Sequence, residues 1–251
     1  MGKLDEKTAW ITGAGTGIGL AGAQALAEAG ATVVMSGRRG DVLENEAATI
    51  KKNGGSAETL SFDVSDANAV RQAAKAIAAR HGRIDILVNS AGTNTRNRFW
   101  GDQSFDGWDR VIRINLDGTF YCTKAVLGFM KEQKDGLVIN ISSWAGIYNS
   151  PVVGPAYNGS KHAVVSITET LNLEECKNGI RACVICPGEV DTPIMEQRPV
   201  PPPQEMREKM LKAEDLGRTI RWVAEQPPHM CVNQIIVSPV WNRFYTGTGF
   251  I

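Results

Sequence analysis

A short apolar run, Thr8-Ala9-Trp10-Ile11-Thr12, passes directly into Gly13-Ala14-Gly15-Thr16-Gly17-Ile18-Gly19 and then into an Ala-rich helical stretch over 20–29. This junction constrains the fold more than any other part of the chain. Strands buried on both faces read as continuous apolar runs. Glycines let the backbone turn and approach a bound group closely, and a helix that begins at once offers unpaired N–H groups and a positive dipole end. Strand, glycine turn and helix in that order predict a phosphate-binding turn. The spacing is T-G-x-x-x-G-x-G, with Gly13, Gly17 and Gly19 in the key places, rather than the commoner G-x-G-x-x-G.

The same alternation continues along the chain. Further strands are predicted over 31–36, 57–62, 84–88, 137–141, 180–186 and 232–237, and helices over 41–52, from Ser65 or Asp66 to 80, over 106–131 and from about Tyr157 to 177. Such a pattern predicts the α/β class: a Rossmann fold, a doubly wound parallel β-sheet with helices on both faces and a ligand crevice at the carboxyl ends of its strands. With 251 residues and no linker, residues 1–251 are expected to form one domain. The second strand ends in Gly37-Arg38-Arg39, with no Asp or Glu before Asp41. Arginine there suits a ribose 2′-phosphate, where an acidic residue would suit the free hydroxyl, so NADP(H) is expected over NAD(H).

Charge is balanced, 27 basic against 27 acidic residues, which gives no bulk attraction to nucleic acid or to a membrane surface. No apolar run is long enough to span a bilayer, and residues 1–6 carry no apolar signal core, so a cytoplasmic protein is expected. Five scattered cysteines fit free thiols. Cys183 and Cys186 form a C-x-x-C, but in a strand that spacing sends them to opposite faces, and no metal site is expected.

Tyr157 and Lys161 are four residues apart at a predicted helix start, where they would be neighbours on one face. An ammonium beside a phenol would lower its pKa from about 10 and ready it for proton exchange with a carbonyl or an alcohol. Ser142-Ser143 closes the strand over 137–141 and would reach the same sheet edge. Asn115 interrupts a good helical pattern, where Asn is a poor helix-interior residue and asks for a reason. His162, about 100° round the helix from Lys161, is expected to face elsewhere.

Taken together these residues resemble the short-chain dehydrogenase/reductase family. The resemblance rests on Thr12-Gly13-x-x-x-Gly17-Ile18-Gly19, Asp63-Val64, Asn89-x-Ala91-Gly92, Asn115, Ser143, Tyr157-x-x-x-Lys161 and Pro187-Gly188-x-x-x-Thr192, in order over about residues 5–195. It implies a catalytic set of Asn115, Ser143, Tyr157 and Lys161. Tyr157 would be the general acid of reduction and the base of oxidation. Ser143 would hydrogen-bond the substrate oxygen, Lys161 would bind the nicotinamide ribose and depress the pKa of Tyr157, and Asn115 would hold a water. The cofactor contacts it implies are Gly13, Thr16, Gly17, Ile18, Gly19, Arg38, Arg39, Asp63, Val64, Asn89, Ala91, Gly92, Tyr157, Lys161, Pro187, Gly188, Val190 and Thr192. Trp144, Tyr148, Glu189 and Arg96 are expected around the substrate. Arg98, Arg198 and Arg243 are further candidates to receive an acidic substrate.

The resemblance loosens towards the carboxyl end. The last predicted strand ends in Ser238-Pro239-Val240-Trp241, where many family members have an Asp-Gly-Gly turn. Gln226-Pro227-Pro228-His229, Asn233 and Pro239 are similar to a branch that includes 3-hydroxy acid and serine dehydrogenases and related aldehyde reductases. Residues 190–225 are expected to form a lid, and the aromatic tail over 241–251 to pack on a neighbouring subunit of a homodimer or homotetramer. The implied activity is an NADP(H)-dependent interconversion of an alcohol with a ketone or aldehyde. The alternatives are a 3-oxoacyl-carrier-protein reductase and a silent nucleotide-binding sensor or scaffold.

Overall fold

The structure is a computed structural model and describes residues 2–246. Its elements run β1 (Thr8–Thr12), α1 (Gly17–Glu28), β2 (Thr32–Gly37), α2 (Gly40–Lys52), β3 (Ser56–Ser61), α3 (Ala67–His81), β4 (Ile86–Asn89), α4 (Phe105–Ile112), α5 (Gly118–Gln133) and β5 (Gly136–Ile141). They continue with α6 (Gly154–Glu175), β6 (Ile180–Pro187), β7 (Val190–Asp191), α7 (Gln204–Glu208), β8 (Leu211–Lys212), α8 (Ala213–Ala224), β9 (Gln234–Val237) and α9 (Arg243–Thr246). Seven strands pair in parallel in the order β3-β2-β1-β4-β5-β6-β9. The order reverses between β1 and β4, which opens a crevice at their carboxyl ends.

Successive side chains of a strand face opposite ways, and the two faces of this sheet bury separate cores. Ala9 and Ile11 of β1 join Leu26, Leu43, Ile50, Leu216 and Ile220 from α1, α2 and α8. Trp10, between them, joins Val70, Ile77, Val126, Met130 and Leu171 from α3, α5 and α6. Trp10 is fully buried, and its indole N–H donates to Ser36 Oγ at 2.8 Å, so no polar group is stranded. Cys183 and Cys186 lie in different apolar clusters, as opposite faces of β6 require.

The helical pattern read over 106–131 is continuous but not uniform. Between α4 and α5 the turn over Arg113–Asp117 is π-helical, and Asn115 sits inside it. A π turn widens the helix by one residue, a device common at functional sites.

The base of the sheet is held by one buried carboxylate. Asp85 accepts from the Thr8 N–H at 2.9 Å, Lys7 Nζ at 3.1 Å and Arg83 Nε at 2.8 Å. Burial alone would raise its pKa, but Arg83, the Thr8 N–H and Lys7 outweigh that and hold it below the usual carboxylate range. A lowered carboxylate pKa adds stability above the unfolded value, and that stability is lost as pH falls through the folded value. Asp85→Ala leaves Arg83 and the Thr8 amide without their partner and Lys7 with Asp135 alone, and should lower the urea unfolding free energy at pH 7 by about 3 kcal/mol with little change in slope. The difference between variant and parent should vanish as pH drops below about 4.

Candidate active site

The loops that leave β1, β4, β5 and β6 at their carboxyl ends converge on the first turns of α6. Gly13 has φ of +66°, and a Cβ there would lie 2.8 Å from the Ala91 backbone, so the turn after β1 fits against the strand beside it only as glycine. Thr16, at the start of α1, makes no side-chain cap, which leaves the first N–H groups of the helix directed into the crevice. A cleft of about 760 Å³ opens above them, lined by Gly13, Thr16, Gly17, Ile18, Gly92, Tyr157, Lys161, Pro187, Gly188, Val190 and Thr192 among others. An uncapped helix end and a glycine cradle fit a dinucleotide pyrophosphate.

The other residues expected at a cofactor stand further back. Gly19 packs against the Gly13 carbonyl, and Val64 against Gly118 of α5. Ala91 lies beneath the turn at Gly13. Asn89 stands at the sheet edge, where its amide points within the sheet and donates to Asn140 Oδ1 at 2.8 Å and Thr123 Oγ1 at 3.1 Å. Arg38 and Arg39 are exposed where β2 ends. Asp63 accepts from the Ser65 N–H at 2.9 Å and lies 4.0 Å from Arg38.

Tyr157 lies in the first turn of α6, which begins at Gly154. Lys161, one turn on, is 5 % exposed and donates to the Ile141 carbonyl at 2.8 Å, while its ammonium lies 5.6 Å from the centre of the Tyr157 ring. Ser142 is a clamp: its Oγ donates to the Lys161 carbonyl at 2.8 Å and ties the end of β5 to α6. Asn115 works on the opposite side. Its Oδ1 accepts from the Thr93 N–H at 2.8 Å, and its Nδ2 donates to the Thr93 carbonyl at 3.0 Å and to Ser160 Oγ at 3.2 Å. The π turn thereby fixes the loop after β4 to the helix that carries Tyr157. His162 Nδ1 is engaged with the Asn158 carbonyl at 2.9 Å.

The electrostatics correct one expectation. Burial raises the Tyr157 pKa, and although the Ser143 hydroxyl, Arg198 and Arg98 pull it down, they do not win. Lys161 is not among the groups that pull it down, and burial lowers its own pKa to about 8. The apolar surroundings penalise both charges, and the ammonium is turned to a carbonyl instead of the phenol.

Ser143 and Tyr157 also line a second cleft of about 580 Å³, walled by Trp144, Val152, Val153, Ile194, Met195 and Phe244 and carrying Asn94, Arg98, Ser150, Glu189 and Arg198. Of the four residues expected around a substrate, Trp144 and Glu189 line it. Tyr148 does not: it is half exposed and packs behind Trp144 at 4.7 Å between ring centres. Arg96 is also corrected, because it points to solvent and reaches only the Glu196 carbonyl, whereas Arg98, two residues on, is turned inward. Asn94, Ser150, Val152, Val153, Ile194 and Met195 carried no sequence signal, for each sits in a loop or a short turn, whereas Phe244 belongs to the aromatic tail. A Cβ on Gly154, φ +78°, would lie 1.8 Å from the Arg98 carbonyl, so the glycine that opens α6 marks where the loop crosses it. The tail, expected on a neighbouring subunit, turns back on its own chain over 242–245. Phe244 stacks on Trp144 at 6.3 Å, and Arg243 meets Glu189 at 2.9 Å. Residues 247–251 lie outside the described residues.

Among the described residues no helix is long and apolar enough to cross a membrane, and no group of three or more His, Cys, Asp or Glu could hold a metal.

Comparison with known proteins places this site in context. Residues 7–201 match the family described as short chain dehydrogenase. The uncharacterized oxidoreductase YxbG of Bacillus subtilis (strain 168) is 34 % identical over 252 residues, covering 98 % of this chain and 89 % of that protein. An alcohol dehydrogenase from the archaeon Thermococcus sibiricus, solved in complex with 5-hydroxy-NADP, superposes with a TM-score of 0.85 at 29 % identity, over 94 % of this chain and 98 % of that one. A metagenomic short-chain oxidoreductase solved with NADP gives a TM-score of 0.83 at 28 % identity, over 96 % of this chain and 100 % of that one.

Proposed function

We propose, on the premise that this chain belongs to the short-chain dehydrogenase family, that it interconverts an alcohol and a ketone or aldehyde with NADP(H), using Tyr157 as general acid in reduction and general base in oxidation. The observation that carries this reading is the meeting of two clefts at Ser143 and Tyr157. One suits a dinucleotide, the other a small molecule.

The nicotinamide supplies the hydride, and the chain supplies position and a proton. Gly13, Gly17 and the start of α1 would hold the pyrophosphate, and Val190 and Thr192 the carboxamide side. Lys161 would hold the nicotinamide ribose. Ser143 would donate to the substrate oxygen, which sets the carbonyl within reach of the Tyr157 hydroxyl. Asn115 is a positioning residue that acts through Thr93 and Ser160. Ile194 and Met195, which border both clefts, make the segment within 190–225 a lid. Five free cysteines suit a reducing cytoplasm. The exposed Phe105, Phe120 and Leu173 on α4, α5 and α6 offer faces for a homodimer or homotetramer.

NADP(H) is favoured by Arg38, whose carbonyl accepts from Ser61 Oγ at 3.1 Å and whose guanidinium is exposed where β2 ends. The two relatives solved with NADP or 5-hydroxy-NADP support the same choice. Arg38→Asp should move the NADPH to NADH preference in kcat/KM by roughly tenfold or more towards NADH. An unchanged ratio contradicts the 2′-phosphate role. The reading as a whole is tested by NADPH consumption against aldehydes, cyclic ketones, oxo acids and 3-oxoacyl thioesters. Tight NADPH binding with no turnover on any of them would contradict it.

A further inference from the structure

The cleft beside Tyr157 holds more positive charge than its apolar walls explain. Arg98 is 3 % exposed, yet its recorded bonds go to neutral backbone oxygens: Nε donates to the Thr95 carbonyl at 2.7 Å and Nη2 to the Gln197 carbonyl. It makes no ion pair among the described residues. The Asp102 carboxylate acts on it only through its field, and a buried cation with no directly bonded carboxylate is costly and marks functional sites. Arg198 lines the same cleft, and its field and that of Arg98 act on each other and on Tyr157. Glu189 is already committed, taking Arg198 at 2.7 Å and Arg243 at 2.9 Å on one oxygen. Arg198 and Arg243 therefore share one carboxylate.

A second, independent feature points the same way. Ser150 is 5 % exposed and lines the cleft, and its Oγ has no hydrogen-bond partner. Its backbone is fixed by Asn158, the residue after Tyr157, through bonds of 3.0 Å in both directions. A stranded buried hydroxyl asks for a partner.

We propose that the substrate is an oxo acid or hydroxy acid whose carboxylate is received by Arg98 and Arg198, with Ser150 as an added donor, while its apolar body lies against Trp144, Ile194, Met195 and Phe244. Guanidinium forks match a planar carboxylate by paired N–H donors, and exclusion of water strengthens the pairing. In reduction, one hydride and one proton convert the carbonyl to the alcohol and leave the carboxylate unchanged. This inference rests on the reductase reading for its chemistry but not for its binding.

The test uses 2-oxo-2-phenylacetate, 3-oxo-3-phenylpropanoate and 4-oxo-4-phenylbutanoate, each against its methyl ester. Both kcat/KM with NADPH and calorimetric binding to the NADP⁺ complex are measured. At least one acid should exceed its ester by about tenfold or more in kcat/KM and in affinity. That ratio should fall towards one in Arg198→Met and in Arg98→Met. If Arg98→Met fails to fold, for it loses two carbonyl bonds, Arg98→Lys and Arg198→Met decide the matter. Esters that react and bind as well as their acids overturn the proposal and leave the reductase reading standing. Acids that bind selectively without turnover support the anion site and count against the reductase reading. Neither turnover nor binding of any acid overturns this proposal.

Discussion

Tyr157→Phe should lower kcat for carbonyl reduction by about 10²–10⁴-fold, the range for losing a positioned general acid, while the dissociation constant for NADPH changes little. The substitution removes one hydroxyl from a ring that borders both clefts and leaves the ring in place. The pH profile of the unaltered protein carries the same information. Burial holds the Tyr157 pKa above its ordinary value, so the phenol keeps its proton through neutrality. Reduction should therefore be nearly flat from pH 6 to 8, and alcohol oxidation, which needs the phenolate, should rise with pH over the same range. In the variant, the rise in oxidation should disappear. Stopped-flow NADPH fluorescence and steady-state rates across pH check both statements.

Lys161→Met should nearly abolish activity and at the same time stabilise the fold. Lys161 is buried, and its pKa in the folded chain, about 8, lies below the 10.5 of a free side chain. Below pH 8 both folded and unfolded chains carry the proton, and the folded chain bears the full penalty, about 3 kcal/mol as an upper bound. Between about pH 8 and 10.5 the unfolded chain binds more protons than the folded one, so stability rises with pH in that window. Methionine fills a similar volume without the charge but abandons the bond to the Ile141 carbonyl. A net gain of about 1–2 kcal/mol at pH 7 is expected, shrinking as pH approaches 10. Urea titrations of parent and variant at pH 7 and pH 10 measure it. A variant less stable than its parent at pH 7 would show that the ammonium is already compensated.

What the sequence could tell in advance follows the range of the forces involved. The junction from Thr8 to Gly19 was readable because strand, turn and helix are neighbours in the chain, and Tyr157 and Lys161 because helical spacing is local. Asn115 was visible as a misfit in a helix, yet the π turn that accommodates it depends on Thr93 and Ser160, 22 and 45 residues away. Arg96 and Arg98 look alike in sequence. What separates them is that Arg98 is gripped by Gln197 and crossed by Gly154, both contacts made by distant segments. Gln197 also accepts from the Asn94 N–H at 3.1 Å, so the whole loop after β4 takes its shape from a segment about a hundred residues later. The Tyr157 pKa follows the same division between local and distant forces. Spacing places the ammonium near the phenol, but burial, a property of the whole fold, sets the larger effect.

The central claim, transfer of a hydride to a carbonyl carbon held beside Tyr157, is tested most directly by isotope transfer. The protein is incubated with NADPH deuterated at the transferable position of the nicotinamide and with the carbonyl panel, and the products are weighed by mass spectrometry. The account predicts an alcohol that carries one deuterium on its new carbinol carbon, formed by the parent and not by Tyr157→Phe. Bound NADPH with no deuterium in any product, or equal labelling by parent and variant, would contradict it.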